Sequence, residues 1–159
     1  MATEAWPSDP HSPDQSVAAY FAIEPRSRNG AEELSNIANE QVGYINAHGT
    51  STPLGDLREA QAFWEVFGER TPEIAISATK SMTGHLMGAA GAVEGVATVL
   101  SIYNQCAPAT LNYRDEDPEI NLNVVHDGSR PMEIRYAISD NVGLGGHNGA
   151  VIFKRYDGD

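Results

Sequence analysis

Two short stretches of this chain each carry a histidine between a strand-like and a helix-like segment. The first, Asn-Ala-His-Gly-Thr-Ser-Thr-Pro, covers residues 46–53, and the second, Thr-Lys-Ser-Met-Thr-Gly-His-Leu-Met-Gly-Ala-Ala-Gly, covers residues 79–91. A strand followed directly by a helix, twice over, favours an open α/β sheet. Such sheets bind ligands in the crevice at the carboxyl ends of their strands. We therefore expect His48 and His85 at one edge of a sheet, facing a common ligand.

Hydrophobic spacing indicates the elements on either side of these stretches. Short apolar runs predict strands at residues 42–46, 74–77, 122–125, 135–139 and 150–153. Apolar residues at helical spacing predict one helix over 55–67, ended by Gly68, and a second from about 88 to 103. The second helix carries larger apolar side chains on one face: Val93, Val96, Ala97, Leu100 and Tyr103. Two strand–helix pairs followed by three strands predict an α/β layer with a mixed sheet.

The N-terminal part of the chain gives a weaker signal. Residues 1–16 carry three prolines among polar side chains, a composition that predicts a disordered leader. The apolar run at 17–23 is too short to assign to helix or strand, and residues 31–40 suggest a short polar helix. We therefore predict one domain at residues 41–156, preceded by a partly disordered leader over 1–40.

Composition excludes several classes of partner. The chain has 159 residues, of which 41% are hydrophobic and 20% charged, as expected for one globular domain. A net charge of -12 argues against binding to nucleic acid or to an anionic membrane surface. We expect no membrane span and no secretory signal. A single cysteine, Cys106, permits no internal disulfide, so the cytoplasm is the expected compartment and a packing role is expected for Cys106.

Lys80 and His85 lie in a crowded turn before the second helix. The chain has only two lysines, and a buried ammonium at this position would need a partner, for which Glu94 is available. A solvated surface lysine is the alternative. His85 opens a helix, where the dipole disfavours the imidazolium and leaves a neutral ring that can donate to a developing oxyanion. For His48 the alternative is an ordinary turn whose hydroxyl groups cap the next helix.

A third glycine-rich stretch, Gly-Leu-Gly-Gly-His-Asn-Gly, covers residues 143–149. A strand rather than a helix follows it, so a dinucleotide-binding loop is not expected. Its glycines would allow positive φ where backbone N–H groups turn toward a site, and a hairpin turn is the alternative. His48, His85 and His147 lack the spacing of metal ligands, so we expect no metal.

The order and spacing of these three motifs resemble the C-terminal half of a β-ketoacyl-acyl-carrier-protein synthase, a condensing enzyme of thiolase-like fold. The resemblance runs from about Val42 to Arg155. It implies an acyltransferase of fatty acid or polyketide synthesis, which joins an acyl thioester to malonyl-acyl carrier protein with loss of carbon dioxide. It implies no cofactor bound by this chain, because phosphopantetheine arrives on the carrier protein.

The resemblance also implies residue roles. His48 and His85 would both donate to the malonyl thioester oxygen and stabilise the enolate, while Lys80, paired with Glu94, would orient and support His85. The hydroxyls of Thr50 and Thr52 would contact the pantetheine arm, and the backbone N–H of Leu144 would complete an oxyanion hole. These contacts define the expected site: His48, Thr50, Thr52, Lys80, His85, Glu94 and Leu144.

The sequence departs from the family pattern at a few positions. Leu144 and Val142 stand where the family usually has Phe, and Asp140 stands where it has Asn. The nucleophilic cysteine of the family belongs to its N-terminal half, and Cys106 does not match that motif. We therefore expect the isolated chain not to catalyse condensation. The expected partners are an acyl carrier protein and a complementary N-terminal half or synthase subunit, in an oligomer. A non-catalytic truncated paralogue that binds such a partner is the alternative.

Overall fold

The computed structural model of the protein describes residues 16–22, as a strand, and residues 41–156. The strands are β1 (Ser16–Ala22), β2 (Val42–Asn46), β3 (Ala75–Ser77), β4 (Cys106–Ala107), β5 (Asn123–Val124), β6 (Arg130–Pro131), β7 (Tyr136–Val142) and β8 (Asn148–Tyr156). The α-helices are α1 (Pro53–Phe67), α2 (Lys80–Thr83) and α3 (Ala90–Asn104). The predicted disordered leader and the predicted helix over 31–40 fall outside the described residues.

Six of the strands form one mixed sheet in the order β1-β8-β7-β2-β3-β5. β2 runs parallel to both β3 and β7, and β3 runs parallel to β5. β8 pairs antiparallel with β7 and with β1. The mixed α/β layer predicted from the sequence is confirmed. Because β2, β3 and β7 are parallel, their carboxyl ends lie at the same edge of the sheet.

β1 extends this sheet beyond the boundary that we placed at residue 41. Its seven residues pair antiparallel with β8, from Ser16 opposite Tyr156 to Ala22 opposite Ala150. The sequence does not reveal this strand, since a short apolar run has no diagnostic period and its partner lies more than a hundred residues away. The leader assigned to 1–40 thus contains a strand of the domain's own sheet.

Helices cover both faces of the sheet, and a separate cluster of buried side chains fills each face. On one side α1 contributes Phe63 and Phe67 to a cluster with Ile45. On the other side α3 contributes Ile102 to a cluster with Tyr44. Neighbouring residues of β2 therefore point to opposite layers, as the period of two of a strand requires.

The helix limits agree with the predicted ones to within two residues. α1 begins at Pro53, whose fixed φ and missing N–H suit the first turn of a helix. Gly68 ends α1 with φ of 54°, a conformation that glycine adopts without strain. The four-residue α2 was not predicted, because one turn is too short to show a hydrophobic period. None of the described helices combines the length and apolar character that crossing a membrane requires.

The two faces of α3 carry unexpected side chains. The residues that face the protein interior include Glu94, Thr98 and Ser101. Apart from Ile102, the larger apolar residues point outward, with Val96 61% and Leu100 52% exposed. The apolar face identified in the sequence is thus the outer face of this helix, and its polar residues are buried.

Candidate active site

The carboxyl edge of the parallel strands collects most of the predicted site. His48 follows β2 by two residues, and Lys80 follows β3 by three. Asn141 is the next-to-last residue of β7, and His85 follows the short helix α2. Three separate segments of the chain thus reach one edge, which is where an α/β sheet binds its ligands.

His48 and His85 meet at this edge. Their ring centroids lie 5.4 Å apart and the ring planes are nearly perpendicular, at 86°. His48 is partly buried and His85 is exposed. The structure therefore brings together two imidazoles that are separated by 37 positions in the sequence, close enough to contact one small group.

The backbone sets the proton position of His85. The N–H of Met87 donates to Nδ1 of His85 at 3.2 Å. A backbone N–H can only donate, so Nδ1 must provide a lone pair. The neutral ring of His85 consequently carries its proton on Nε2 and offers an N–H donor there.

A carboxylate on α1 holds the loop that carries His48. The backbone N–H groups of His48 and Gly49 donate to the two oxygens of Glu59, at 2.7 and 2.9 Å. Gly49 has φ of 38°, and a Cβ there would lie 2.5 Å from Cβ of Ala78. The turn after β2 therefore requires glycine and is clamped to α1.

Lys80 forms a buried ion pair with Glu94. Nζ of Lys80 lies 2.5 Å from Oε1 of Glu94, and their side chains are only 4% and 1% exposed. This agrees with the partner expected from the sequence, and a charge buried this deeply requires such a partner. The second oxygen of Glu94 accepts from Nδ2 of Asn141 at 2.9 Å, and Oδ1 of Asn141 lies 3.3 Å from Nδ1 of His48. The polar network therefore runs from Lys80 toward His48, and the expected effect of Lys80 on His85 stays a prediction.

A buried asparagine ties this network to the sheet. Asn46, the last residue of β2, is fully buried. Its Oδ1 accepts from the Thr79 hydroxyl at 3.0 Å, and its Nδ2 donates to the backbone carbonyl of Glu94 at 3.2 Å. Asn46 therefore joins the end of a strand to the two segments that carry the ion pair.

A cavity of about 790 Å³ lies beside the histidine pair. Thr50, Thr52, Lys80 and His85 are among the residues that line it. The hydroxyls of Thr50 and Thr52 are 3.2 Å apart and face the same space. A cavity of this size accommodates a ligand as large as a typical cofactor or drug.

Leu144 lies apart from that cavity. It is 89% exposed and belongs to the turn that joins β7 to β8. The glycine-rich stretch is thus a hairpin turn, the alternative left open above, and Gly145 has φ of 77°. The role of the Leu144 N–H in an oxyanion hole stays a prediction.

A partly buried carboxyl group adjoins the site. Burial and the neighbouring Glu59 carboxylate raise the pKa of Asp140 well above its ordinary value. Its Oδ1 is inaccessible to solvent and has no hydrogen-bond partner among the described residues. Within the described part of the chain, no three His, Cys, Asp or Glu side chains form a group that could hold a metal ion.

Three polar residues of this site were not predicted from the sequence: Asn46, Glu59 and Asn141. A signal existed for Asn141, since it ends a strand directly before the glycine-rich turn. Asn46 is part of the first histidine motif but was given no role. Glu59 gave no signal, because a carboxylate on the polar side of a helix normally faces water.

Comparison with known proteins places this geometry in a family. The family model of the β-ketoacyl synthase C-terminal domain matches residues 20–114. The chain belongs to this family. The match covers both histidine motifs and begins within β1, which agrees with the pairing of β1 in the sheet.

Curated relatives of the β-ketoacyl synthase C-terminal domain are whole synthases. The chain is 41% identical over 132 residues to 3-oxoacyl-[acyl-carrier-protein] synthase 2 of Staphylococcus aureus, covering 83% of this chain and 32% of that protein. It is 45% identical over 122 residues to the enzyme of the same name from Vibrio harveyi, covering 76% and 29%. The chain therefore spans about a third of the length of these relatives.

Solved structures show the same fold. A ketosynthase bound to its type II polyketide synthase acyl carrier protein superposes with a TM-score of 0.77 at 30% identity. The superposition covers 90% of this chain and 39% of that one. The thiolase-like fold expected from the resemblance is thereby confirmed, for the C-terminal part.

Proposed function

We propose that this chain is the enolate-stabilising part of a 3-oxoacyl-acyl-carrier-protein synthase. The observation that carries the proposal is the contact between His48 and His85 beside a large cavity at the carboxyl edge of the sheet. The buried Lys80–Glu94 pair and its hydrogen bonds support the geometry of this pair. Such preorganised donors stabilise charge that develops during a reaction.

The proposed reaction uses malonyl thioester carried on acyl carrier protein. The bond between its carboxylate and the methylene carbon breaks, carbon dioxide leaves, and the electron pair passes into an enolate. The thioester oxygen then carries negative charge. His85, with its proton on Nε2, donates to that oxygen. The hydroxyls of Thr50 and Thr52 contact the pantetheine arm in the adjoining cavity.

His48 has a different part in this proposal from the one expected at the start. We expected both rings to donate, but a neutral His48 that donates from Nδ1 to Oδ1 of Asn141 has no proton on Nε2. We therefore assign the oxyanion contact to His85 alone.

The second half of the reaction needs a nucleophile from a complementary N-terminal half. There an acyl group is held as a thioester on cysteine. The enolate carbon attacks its carbonyl, a carbon–carbon bond forms, and the cysteine thiolate leaves. In this proposal the partners are acyl carrier protein and the N-terminal half, the chain binds no cofactor of its own, and the reaction takes place in the cytoplasm.

A chimeric synthase tests the proposal. Residues 42–156 would replace the corresponding segment of the Staphylococcus aureus synthase, to which the chain is 41% identical. Decarboxylation of malonyl-acyl carrier protein and condensation with an acyl group would be measured. We expect activity in the chimera and a loss of about 10²–10³-fold for His85→Ala, the effect typical of one oxyanion donor. His126→Ala, which lies outside the cavity lining, is the control and should change little. Full activity after replacement of both His48 and His85 would refute the proposal.

The non-catalytic alternative is less favoured. It draws support from the outward apolar face of α3, which suits a binding surface. Against it stand the relatives named as synthases and the intact pairing of Lys80 with Glu94, which a binding protein would not need. A chimera that binds acyl carrier protein but shows no decarboxylation would favour the alternative.

A further inference from the structure

Asn141 connects the ring of His48 to the buried ion pair. Its Nδ2 lies 2.9 Å from Oε2 of Glu94, and its Oδ1 lies 3.3 Å from Nδ1 of His48. A Cβ placed on Gly91 would lie 3.5 Å from the same Nδ2. The Asn141 amide is thus packed against the first turn of α3, between the ring and the carboxylate.

Charge fixes which way this amide points. Glu94 is paired with Lys80, so its carboxylate is ionised and can only accept hydrogen bonds. The NH₂ group of Asn141 must therefore face Glu94. In the opposite orientation, Oδ1 of Asn141 would lie against Oε2 of Glu94. Two acceptor oxygens would then repel each other in a buried position, and the hydrogen bond would be lost. Consequently the amide oxygen faces His48.

An amide oxygen can accept but cannot donate, so Nδ1 of His48 must carry a proton to satisfy the contact. We propose that Asn141 is a positioning residue that holds His48 in the Nδ1–H tautomer and connects this ring to the Lys80–Glu94 pair. The catalytic consequence of this assignment rests on the proposed function, but the tautomer itself does not.

Without Asn141, nothing in the described contacts would keep the His48 proton on Nδ1. A neutral imidazole in water favours Nε2–H, and the partner of one ring nitrogen determines where the proton sits. His85 already has its proton on Nε2 because of the Met87 N–H. The amide therefore makes the two rings unlike, whereas without it both would present the same donor.

Nitrogen NMR of the full chain, labelled with ¹⁵N, measures this directly. Long-range ¹H–¹⁵N correlation spectra distinguish the protonated from the unprotonated ring nitrogen of each histidine at neutral pH. We expect the Nδ1–H pattern for His48 and the Nε2–H pattern for His85. A His48 ring with its proton on Nε2 in the unsubstituted chain would overturn the proposal.

Two substitutions separate positioning from general structural damage. Asn141→Leu removes the acceptor and should shift His48 toward Nε2–H. Asn141→Asp keeps an acceptor oxygen toward His48 and should retain Nδ1–H, although its second oxygen would face the Glu94 carboxylate and lower stability. In both variants the His85 pattern should stay unchanged, because a backbone group sets it. Asn148→Leu, on the partner strand β8, is the matched control. An unchanged His48 tautomer in Asn141→Leu would overturn the proposal.

Kinetics of the chimeric synthase give the second readout. We expect Asn141→Leu to lower kcat for malonyl decarboxylation about tenfold, as the loss of a group that orients a reactive side chain commonly does. KM should change less than about twofold, since Asn141 does not line the cavity beside the histidine pair. Asn141→Asp should recover part of kcat. A chimera without any activity would count against the proposed function alone, and the NMR result would still decide the role of Asn141.

Discussion

The two long helices, α1 and α3, bury opposite kinds of side chain. α1 buries an apolar stripe of Ala60, Phe63 and Phe67, and its polar side chains other than Asp56 and Glu59 face solvent. α3 buries Glu94, Thr98 and Ser101 beside Ile102 and exposes Val96 and Leu100. Both helices have 15 residues and both pack on the same sheet. The direction of the hydrophobic stripe therefore does not reveal which side of a helix meets the sheet.

The buried side chains of α1 and α3 differ because the two helices pack against different parts of the protein. α1 covers a wholly apolar cluster, so burying its phenylalanines removes apolar surface from water. α3 meets Lys80 and the site, so its inner face is polar and internally hydrogen-bonded. Thr98 and Ser101 donate to backbone carbonyls one turn earlier, at 2.8 Å each. α1 thus fills an apolar core and holds the His48 loop through Glu59, while α3 carries the carboxylate of the ion pair and leaves apolar side chains exposed.

The largest expected effect is on the polar side of this comparison. Lys80→Met leaves the Glu94 carboxylate buried without its counter-charge, so we expect a loss of about 3–5 kcal/mol in the free energy of unfolding. Urea denaturation of the chain would measure it. The double variant Lys80→Met with Glu94→Leu should recover most of the loss. Lys154→Met, at the other lysine, is the control, and an equally small effect at Lys80 would contradict a buried pair.

The apolar side is tested by α1. Phe63→Ala should cost about 3 kcal/mol in the free energy of unfolding, because it removes a buried aromatic ring and leaves a cavity. Val66→Ala, on the exposed side of the same helix, should cost less than about 0.5 kcal/mol. Urea denaturation would check both. Equal effects would mean that α1 does not bury the face described above.

A carboxyl group beside the site has an intermediate effect that depends on pH. Asp140 ordinarily titrates near 3.8, but burial raises its pKa in the folded protein. The unfolded chain therefore loses this proton at lower pH than the folded one, and stability falls as pH rises from about 4 through the folded pKa. Asp140→Asn removes that loss. We expect a gain in stability at pH 7 that is absent below pH 4, because only the ionised form of Asp140 is disfavoured in the folded protein.

Denaturation curves at pH 3.5, 5 and 7 would measure this dependence. Asp127→Asn, at an exposed position, is the matched control and should show no such trend. A gain that stays the same at all three pH values would show that packing, rather than ionisation, is responsible.

The smallest effect is expected on the outer face of α3. Val96→Ser and Leu100→Ser should each change the free energy of unfolding by less than about 0.5 kcal/mol, because both side chains are already more than half exposed. They should, however, reduce concentration-dependent association of the chain measured by light scattering. A loss of stability comparable to that of Phe63→Ala would mean that this face is covered within the chain itself.

The sequence predicted the long elements and the positions of the principal site residues. Strand β2 and helix α1 were predicted almost to the residue, because β-like runs and a 3.6-residue period are local properties. The pairing of Lys80 with Glu94 followed from the rule that a buried charge needs a partner. The order and spacing of the three glycine-rich motifs indicated the β-ketoacyl synthase family.

Other features depend on contacts that a local pattern cannot show. β1 gains its identity from β8, at the far end of the chain. The inner face of α3 depends on the ion pair that it meets, and the orientation of its apolar stripe was therefore not predictable. The tautomers of the two histidines depend on a backbone N–H and on the amide of Asn141, neither of which has a sequence signature.

The contact from the Met87 backbone to His85 limits how this site can change over evolution. Every residue type except proline provides the same N–H at position 87, so substitutions there leave the proton on His85 where it is. The corresponding contact for His48 belongs to a side chain, and a single codon change replaces it. The proton position of His85 is thus little affected by substitution at its partner residue. The proton position of His48 can change by substitution of Asn141.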